Sequence, residues 1–208
     1  MRIMMKANIS LFLLGLCLSP LSLATVGGPQ NLEVLGYEAK DQKLYLLRHY
    51  LDGRGRLPQL YYYNFKSKMP NQLIQVNSLY INPKTKKIDY DQNSKKFDQE
   101  IAKIKKRLTP VVPLPKQNIQ LKLLKTRKGT APAWHDPKQS VPKWTYQYRI
   151  ESGHYKSPIQ QAISYKPDLR LNQIYKIPKQ DKLLVTVKYL GIQFETGYHI
   201  EDPALLSR

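Results

Sequence analysis

The sequence predicts an α+β fold: mostly antiparallel β-sheet with one amphipathic helix over about residues 94–108. Two observations predict it. Three segments in the second half alternate apolar and polar residues with period two, the signature of a sheet face. One segment, SKKFDQEIAKIKKRL, has helical period instead: with Phe97 at zero, Ile101, Ile104 and Leu108 fall at about 40°, −20° and 20°. The patterns leave the order of the strands open.

Residues 1–24 read as a cleaved secretory signal. Arg2 and Lys6 make a positive start, Ile9 to Leu18 an apolar run, and Ser22-Leu23-Ala24 a small-x-small cleavage site. Ten residues rise about 15 Å as helix, too little for a hydrocarbon core of about 30 Å. The single cysteine, Cys17, lies in the apolar run, and Leu16 before it does not suit lipid attachment. Cleavage after Ala24 leaves a mature chain without cysteine, which excludes disulfides and thiol catalysis. The expectation is a periplasmic or secreted bacterial envelope protein, with residues 25–208 as one β-rich domain.

From Leu32 to Tyr80 the chain reads as four strands: LEVLGYEA, KLYLLRHYL, QLYYYNF and QLIQVNSLY, joined by polar or glycine-rich turns. Their spacing fits an antiparallel meander. In KLYLLRHYL both alternating sets are apolar, so that strand is expected to be covered on both sides, the helix on one of them. Tyr61 and Tyr63 share a face with Phe65, and Tyr62 points the other way.

The helix follows, with Asn93 or Ser94 as N-cap, acids early and Lys103, Lys105, Lys106 and Arg107 late, an order that suits the helix dipole. Thr109-Pro110 stops it, and the proline-rich run to Pro115 reads as an extended connector. If the domain has an internal hinge, it lies at 109–116.

NIQLKLLKT opens the second half as a strand, and Arg127 to Pro142 reads as a loop carrying Trp134-His135-Asp136. Trp144, Tyr146, Tyr148 and Ile150 then alternate with Thr145, Gln147, Arg149 and Glu151. Leu183, Val185, Val187 and Tyr189 alternate with Leu184, Thr186, Lys188 and Leu190. Ile192 to Glu201 alternates likewise, and each segment is expected to have one packed and one wet face. SPIQQAISY reads as a short helix, because Ser157, Pro158 and Gln160 resemble a capping-box start. LRLNQIYKIP reads as a strand that turns at Pro178 to Asp181.

The whole chain carries a formal net charge of +19, with 34 basic and 15 acidic residues. Such a balance suits polyanionic partners. The densest run lies between Lys95 and Lys128, where only Asp98 and Glu100 oppose eleven basic residues. Lys95, Lys96, Lys103, Lys106, Lys122, Lys125, Arg127 and Lys128 are the candidate binding residues, forming one patch if helix and strand are neighbours. Trp134 and Tyr155 are the aromatic residues expected at the surface, able to stack on bases or sugars.

No nucleophile or phosphate-loop motif is present, and no spacing calls for a metal or cofactor. The expected function is therefore non-enzymatic: binding of an anionic polymer (lipopolysaccharide, wall polymer or nucleic acid), a glycan or an envelope protein. The opposing reading is a periplasmic hydrolase or metal-dependent enzyme. It would use His135, and His199 with the flanking Glu195 and Glu201.

Overall fold

The computed structural model describes residues 27–193 and 197–208. The expected signal sequence with Cys17 and the expected cleavage site lie outside the described residues, as do Phe194, Glu195 and Thr196. What is described is mostly β-sheet with one α-helix.

The meander is present. Strands β1 (Gln30–Glu38), β2 (Lys43–Tyr50), β3 (Gln59–Asn64) and β4 (Leu73–Gln75) pair antiparallel in sequence order. The fourth is shorter than the pattern predicts. After Gln75 the chain leaves the sheet and makes a single 3-10 turn, Ser78–Tyr80, which buries Tyr80 completely. The Tyr80 hydroxyl accepts the Leu60 amide at 2.7 Å and donates to the Pro58 carbonyl at 2.6 Å. Those bonds recover what the shortened ladder forgoes.

Helix α1 (Ser94–Lys105) ends earlier than expected, with Lys106 as its C-cap. The Asn93 side chain caps its other end, accepting from the Lys95 amide at 2.8 Å. Phe97 and Ile101 are buried against Tyr45, Leu47, Leu60 and Tyr80, while Leu44, Leu46 and Tyr63 pack on the opposite side of the same strands. The β2 strand is thus covered on both faces, the helix on one, as its double apolar pattern predicts.

The run 109–116 is tied down. Thr109 exchanges two backbone bonds with Tyr37, at 2.8 and 2.9 Å. A bulge in β1 brings this about: Gly36 adopts φ +139°, and a Cβ there would meet the Thr109 oxygen at 2.8 Å. The two-residue β5 (Val112–Pro113) then pairs with the later strand β10 (Arg170–Lys176), and the Leu114 amide donates to the Ile174 carbonyl.

The second half differs from the sequence reading in several places. The expected loop 127–142 is mostly strand, the two arms of a long hairpin, β6 (Gln120–Pro132) and β7 (Ser140–Ser152). The expected short helix is strand β9 (Gln160–Ser164), paired with β7 along its length. Its Ser157 hydroxyl accepts the Ile150 amide at 3.0 Å instead of capping a helix. The expected strand through Ile192 to Glu201 is divided: Ile192 closes β11 (Lys182–Ile192), and β12 (Tyr198–Ser207) returns antiparallel beside it. A two-residue β8 (Tyr155–Lys156) bridges β7 to β12.

All twelve strands belong to one curled hydrogen-bonded sheet. Its main path runs β4-β3-β2-β1-β12-β11-β10-β5, with β6, β7 and β9 as a branch. The chain halves meet where β1 lies beside β12, in parallel at Gln30 and Ile200. The branch covers β10–β12: Tyr146, Tyr148, Ile150 and Ala162 pack on Val185, Val187, Tyr189 and Leu206. Leu184 and Leu205 face the other way, onto Leu44, Leu46 and Tyr63. Leu184, Thr186 and Leu190 are therefore buried, and β11 has no wet face. A central strand between two covering layers reads as apolar throughout.

Polar groups clamp the seam between halves. Arg48 donates to Asp202 Oδ1 at 2.6 Å and to Gln30 Oε1 at 3.1 Å, while the Tyr189 hydroxyl donates to Asp202. Burial works against the Arg48 charge, but Asp202 outweighs it and raises its pKa. Glu201, also buried, accepts the Leu32 amide at 3.1 Å and the Asn172 amide group at 2.7 Å.

Candidate anion-binding face

The eight basic candidates divide between two places. Lys95, Lys96 and Lys103 lie on α1, which packs on β2 and β3, and Lys106 is its C-cap. Lys122, Lys125, Arg127 and Lys128 lie on β6, whose partner β7 packs on β10–β12. Helix and strand belong to different cores, so the pattern that joins them in sequence does not join them in one sheet face.

One candidate in each group is ion-paired, Lys103 on the helix and Lys122 on the strand, and the two places differ in the acids around them. Around α1 much of the charge is answered at close range: Lys103 reaches Glu100 at 2.7 Å, Lys105 reaches Glu33 at 2.8 Å and Arg107 reaches Glu38 at 2.7 Å. Burial opposes ionisation of Glu33, yet Lys105 and His49 hold its carboxyl below the usual range. Glu38 is buried and also accepts from the Tyr45 hydroxyl at 3.2 Å. Burial and that carboxylate push the Tyr45 phenol up to about 12, so it remains a neutral donor. Beside them lies an open groove of about 580 Å³, floored by Leu60, Val76 and Ile104 and rimmed by Gln75, Glu100, Lys103 and Arg107.

On β6, β7 and β9 a single acid, Glu151, stands among the cations. Register places Lys122 opposite Arg149, Lys125 opposite Gln147 and Arg127 opposite Thr145; Gln161 and Ile163 continue the last two rows on β9. These residues form the face turned away from the core, since Trp144, Tyr146 and Tyr148 fill the other one. A bulge between Leu123 and Lys125 keeps Lys125 and Arg127 on this face. Glu151 ion-pairs with Lys122. Among the described residues, Lys125, Arg127 and Lys143 have no ion pair, and the buried Nε of Arg149 has no hydrogen-bond partner. Lys125, Arg127, Thr145, Gln147 and Gln161 line a depression of about 220 Å³, room for a phosphate, sulfate or carboxylate group.

Lys143, Arg149, Gln147 and Gln161 were not among the sequence candidates. The alternation of Thr145, Gln147 and Arg149 signals their common face, but only the pairing with β6 brings the cations beside them. Lys128 is opposite Trp144, on the core-side parity, and is exposed.

Trp134 is 45% exposed in the short turn between β6 and β7, its ring 5.5 Å from that of His135 at an edge-on angle. Asp136 shapes this turn, accepting the Lys138 amide at 3.0 Å and the Gln139 side chain at 3.2 Å. Tyr155 is half-buried instead: it donates to Asp181, lies 5.4 Å from the Arg208 guanidinium and packs against the branch core.

The histidine at 199 is not arranged as in a serine triad. His199 Nε2 is 2.7 Å from Asp168 Oδ2, and the Ser164 hydroxyl is 3.0 Å from Asp168 Oδ1. A serine triad places the imidazole between hydroxyl and carboxylate; here the carboxylate stands between, and Ser164 is fully buried. Burial raises the Asp168 pKa, but the Leu190 amide, Ser164 and His199 outweigh it and hold the carboxyl below the ordinary range. His135 is in the hairpin turn and Glu201 is engaged in the core. Among the described residues no three histidine, aspartate, glutamate or cysteine side chains converge as metal ligands.

No protein-family model matches this chain, and no curated protein or solved structure is significantly similar to it. The functional reading rests on the geometry of the molecule itself. Among the described residues no helix is long and apolar enough to cross a membrane.

Proposed function

We propose that this chain is an exported, non-enzymatic binding protein of the bacterial envelope that holds an anionic polymer on the outer face of β6, β7 and β9. One observation carries the reading. Lys125 and Arg127 share that face with Lys143 and Arg149, and its one acid on β7, Glu151, is engaged by Lys122. Lys125, Arg127 and Lys143 stand opposite neutral residues and no acid on β6, β7 or β9 pairs with them, so the face keeps a positive field that suits an anionic polymer. Thr145, Gln147 and Gln161 set neutral hydrogen-bonding groups between the cations, suited to phosphate or sugar oxygens. Export is supported by the charge, apolar-run and small-residue pattern of residues 1–24.

The test is titration of the mature chain with heparin, lipopolysaccharide and duplex DNA at several salt concentrations. Binding carried by the face is steeply salt-dependent and tolerant of polymer sequence. Absence of binding to all three at physiological salt would overturn the reading.

A further inference from the structure

Strand β6 is an open edge of unusual length. It runs for 13 residues, about 40 Å, and among the described residues it pairs with β7 alone. The other strands that end a row of the sheet, β4, β5 and β9, have three, two and five residues. Long edges present a row of unpaired backbone donors and acceptors, which proteins keep short, cover, or guard with lysines and bulges. Strand β6 has the last two, a guard that excludes neutral and basic strands and leaves an acidic one admissible. On β6 nearly every residue is exposed, including Leu123 at 53% and Leu124 at 50%.

We infer that β6 is a docking edge, and that its occupant is an extended acidic polypeptide segment added to the sheet as a further strand. The inference rests on the binding face proposed above and specifies what it binds. Strand addition draws affinity from main-chain bonds and specificity from alternate side chains. The β6 register dictates that alternation. A strand laid beside it continues the outer face next to Lys122, Lys125 and Arg127, where every second residue should be Asp or Glu. On the other face it lies beside Leu123, where an apolar side chain would cover exposed surface. A second copy of β6 is a poor occupant, because Gln120 to Pro132 contains four cations and no acid, and self-pairing opposes like charges. Charge thus selects a different, acidic chain.

The experiment uses the mature chain and a twelve-residue peptide alternating glutamate and valine. Its comparison is the corresponding peptoid, which carries the same side chains and charge but no backbone N–H. Strand addition predicts that the peptide binds at least tenfold more tightly than the peptoid and slows hydrogen exchange of β6 amides on titration. Equal affinity for both, with β6 exchange unchanged, would overturn strand addition while leaving the anionic face intact. Failure of peptide, peptoid and heparin alike would overturn the binding face itself. Concentration-dependent dimerisation that protects β6 without peptide would overturn the choice of an acidic partner.

Discussion

Lys122 and Arg149 stand directly opposite each other across the β6–β7 ladder, two cations on one face of one sheet. Glu151 meets Lys122, and nothing among the described residues meets the Arg149 Nε. Like charges directly opposite destabilise a ladder, and Glu151, held ionised chiefly by Lys122 and also by Arg149, offsets part of that cost. Arg149→Gln should therefore leave the fold as stable as before or slightly more stable in urea melts, while weakening polyanion binding. A clear loss of stability would mean that Arg149 serves the fold rather than the face.

The helix makes a contrasting demand. Phe97 and Ile101 are buried under α1, whereas Ile104 lines the open groove. Ile101→Ala should cost about 2–4 kcal/mol, and Ile104→Ala less. Lys96→Ala, on the exposed side, should stay within about 0.5 kcal/mol. Equal costs at the three positions would contradict the packing of the helix on β2 and β3.

Asp168 links stability to pH. Its carboxyl is held below the ordinary value of 3.8 in the folded chain. A carboxyl depressed by folding stabilises above its unfolded pKa, and that contribution fades as pH falls through the folded value. The contribution should therefore be present above about pH 4 and lost below it. Asp168→Asn should lower the melting temperature at pH 7 and flatten the acid side of the stability profile. An unchanged acid limb in the variant would show that other carboxyls set it.

Much of this architecture is legible in the residues, and its failures have physical causes. The meander, the helix and the double covering of β2 follow from local period, because each strand there pairs with its neighbour in sequence. SPIQQAISY misleads because Ser157-Pro158 offers a good helix start, yet pairing with β7 outweighs a few tenths of propensity. Gly129, Pro132 and Pro142 read as loop residues, although Pro132 and Pro142 sit near the paired ends of β6 and β7, where a missing donor is tolerated. The one-sided reading of β11 fails because the second covering layer comes from strands more than a hundred residues earlier. The candidate face follows the same rule. Lysine density points to β6, but Lys143, Arg149, Gln147 and Gln161 join it only through register, and the helix lysines leave it for the same reason.

The most direct measurement compares two triple variants that remove equal charge from the two basic regions. Lys125→Gln, Arg127→Gln and Lys143→Gln alter the branch face; Lys95→Gln, Lys96→Gln and Lys106→Gln alter the helix. The affinity of each for duplex DNA is read as log K against log salt, where each neutralised contact contributes a slope of about −0.9. The account predicts that the branch variant loses tenfold or more in affinity and flattens the slope by about 2 to 3, with the thermal melt little changed. The helix variant should keep nearly the parent affinity and slope. Equal losses in the two variants would contradict it, because the attraction would then belong to the net charge of the chain and not to the face built by β6, β7 and β9.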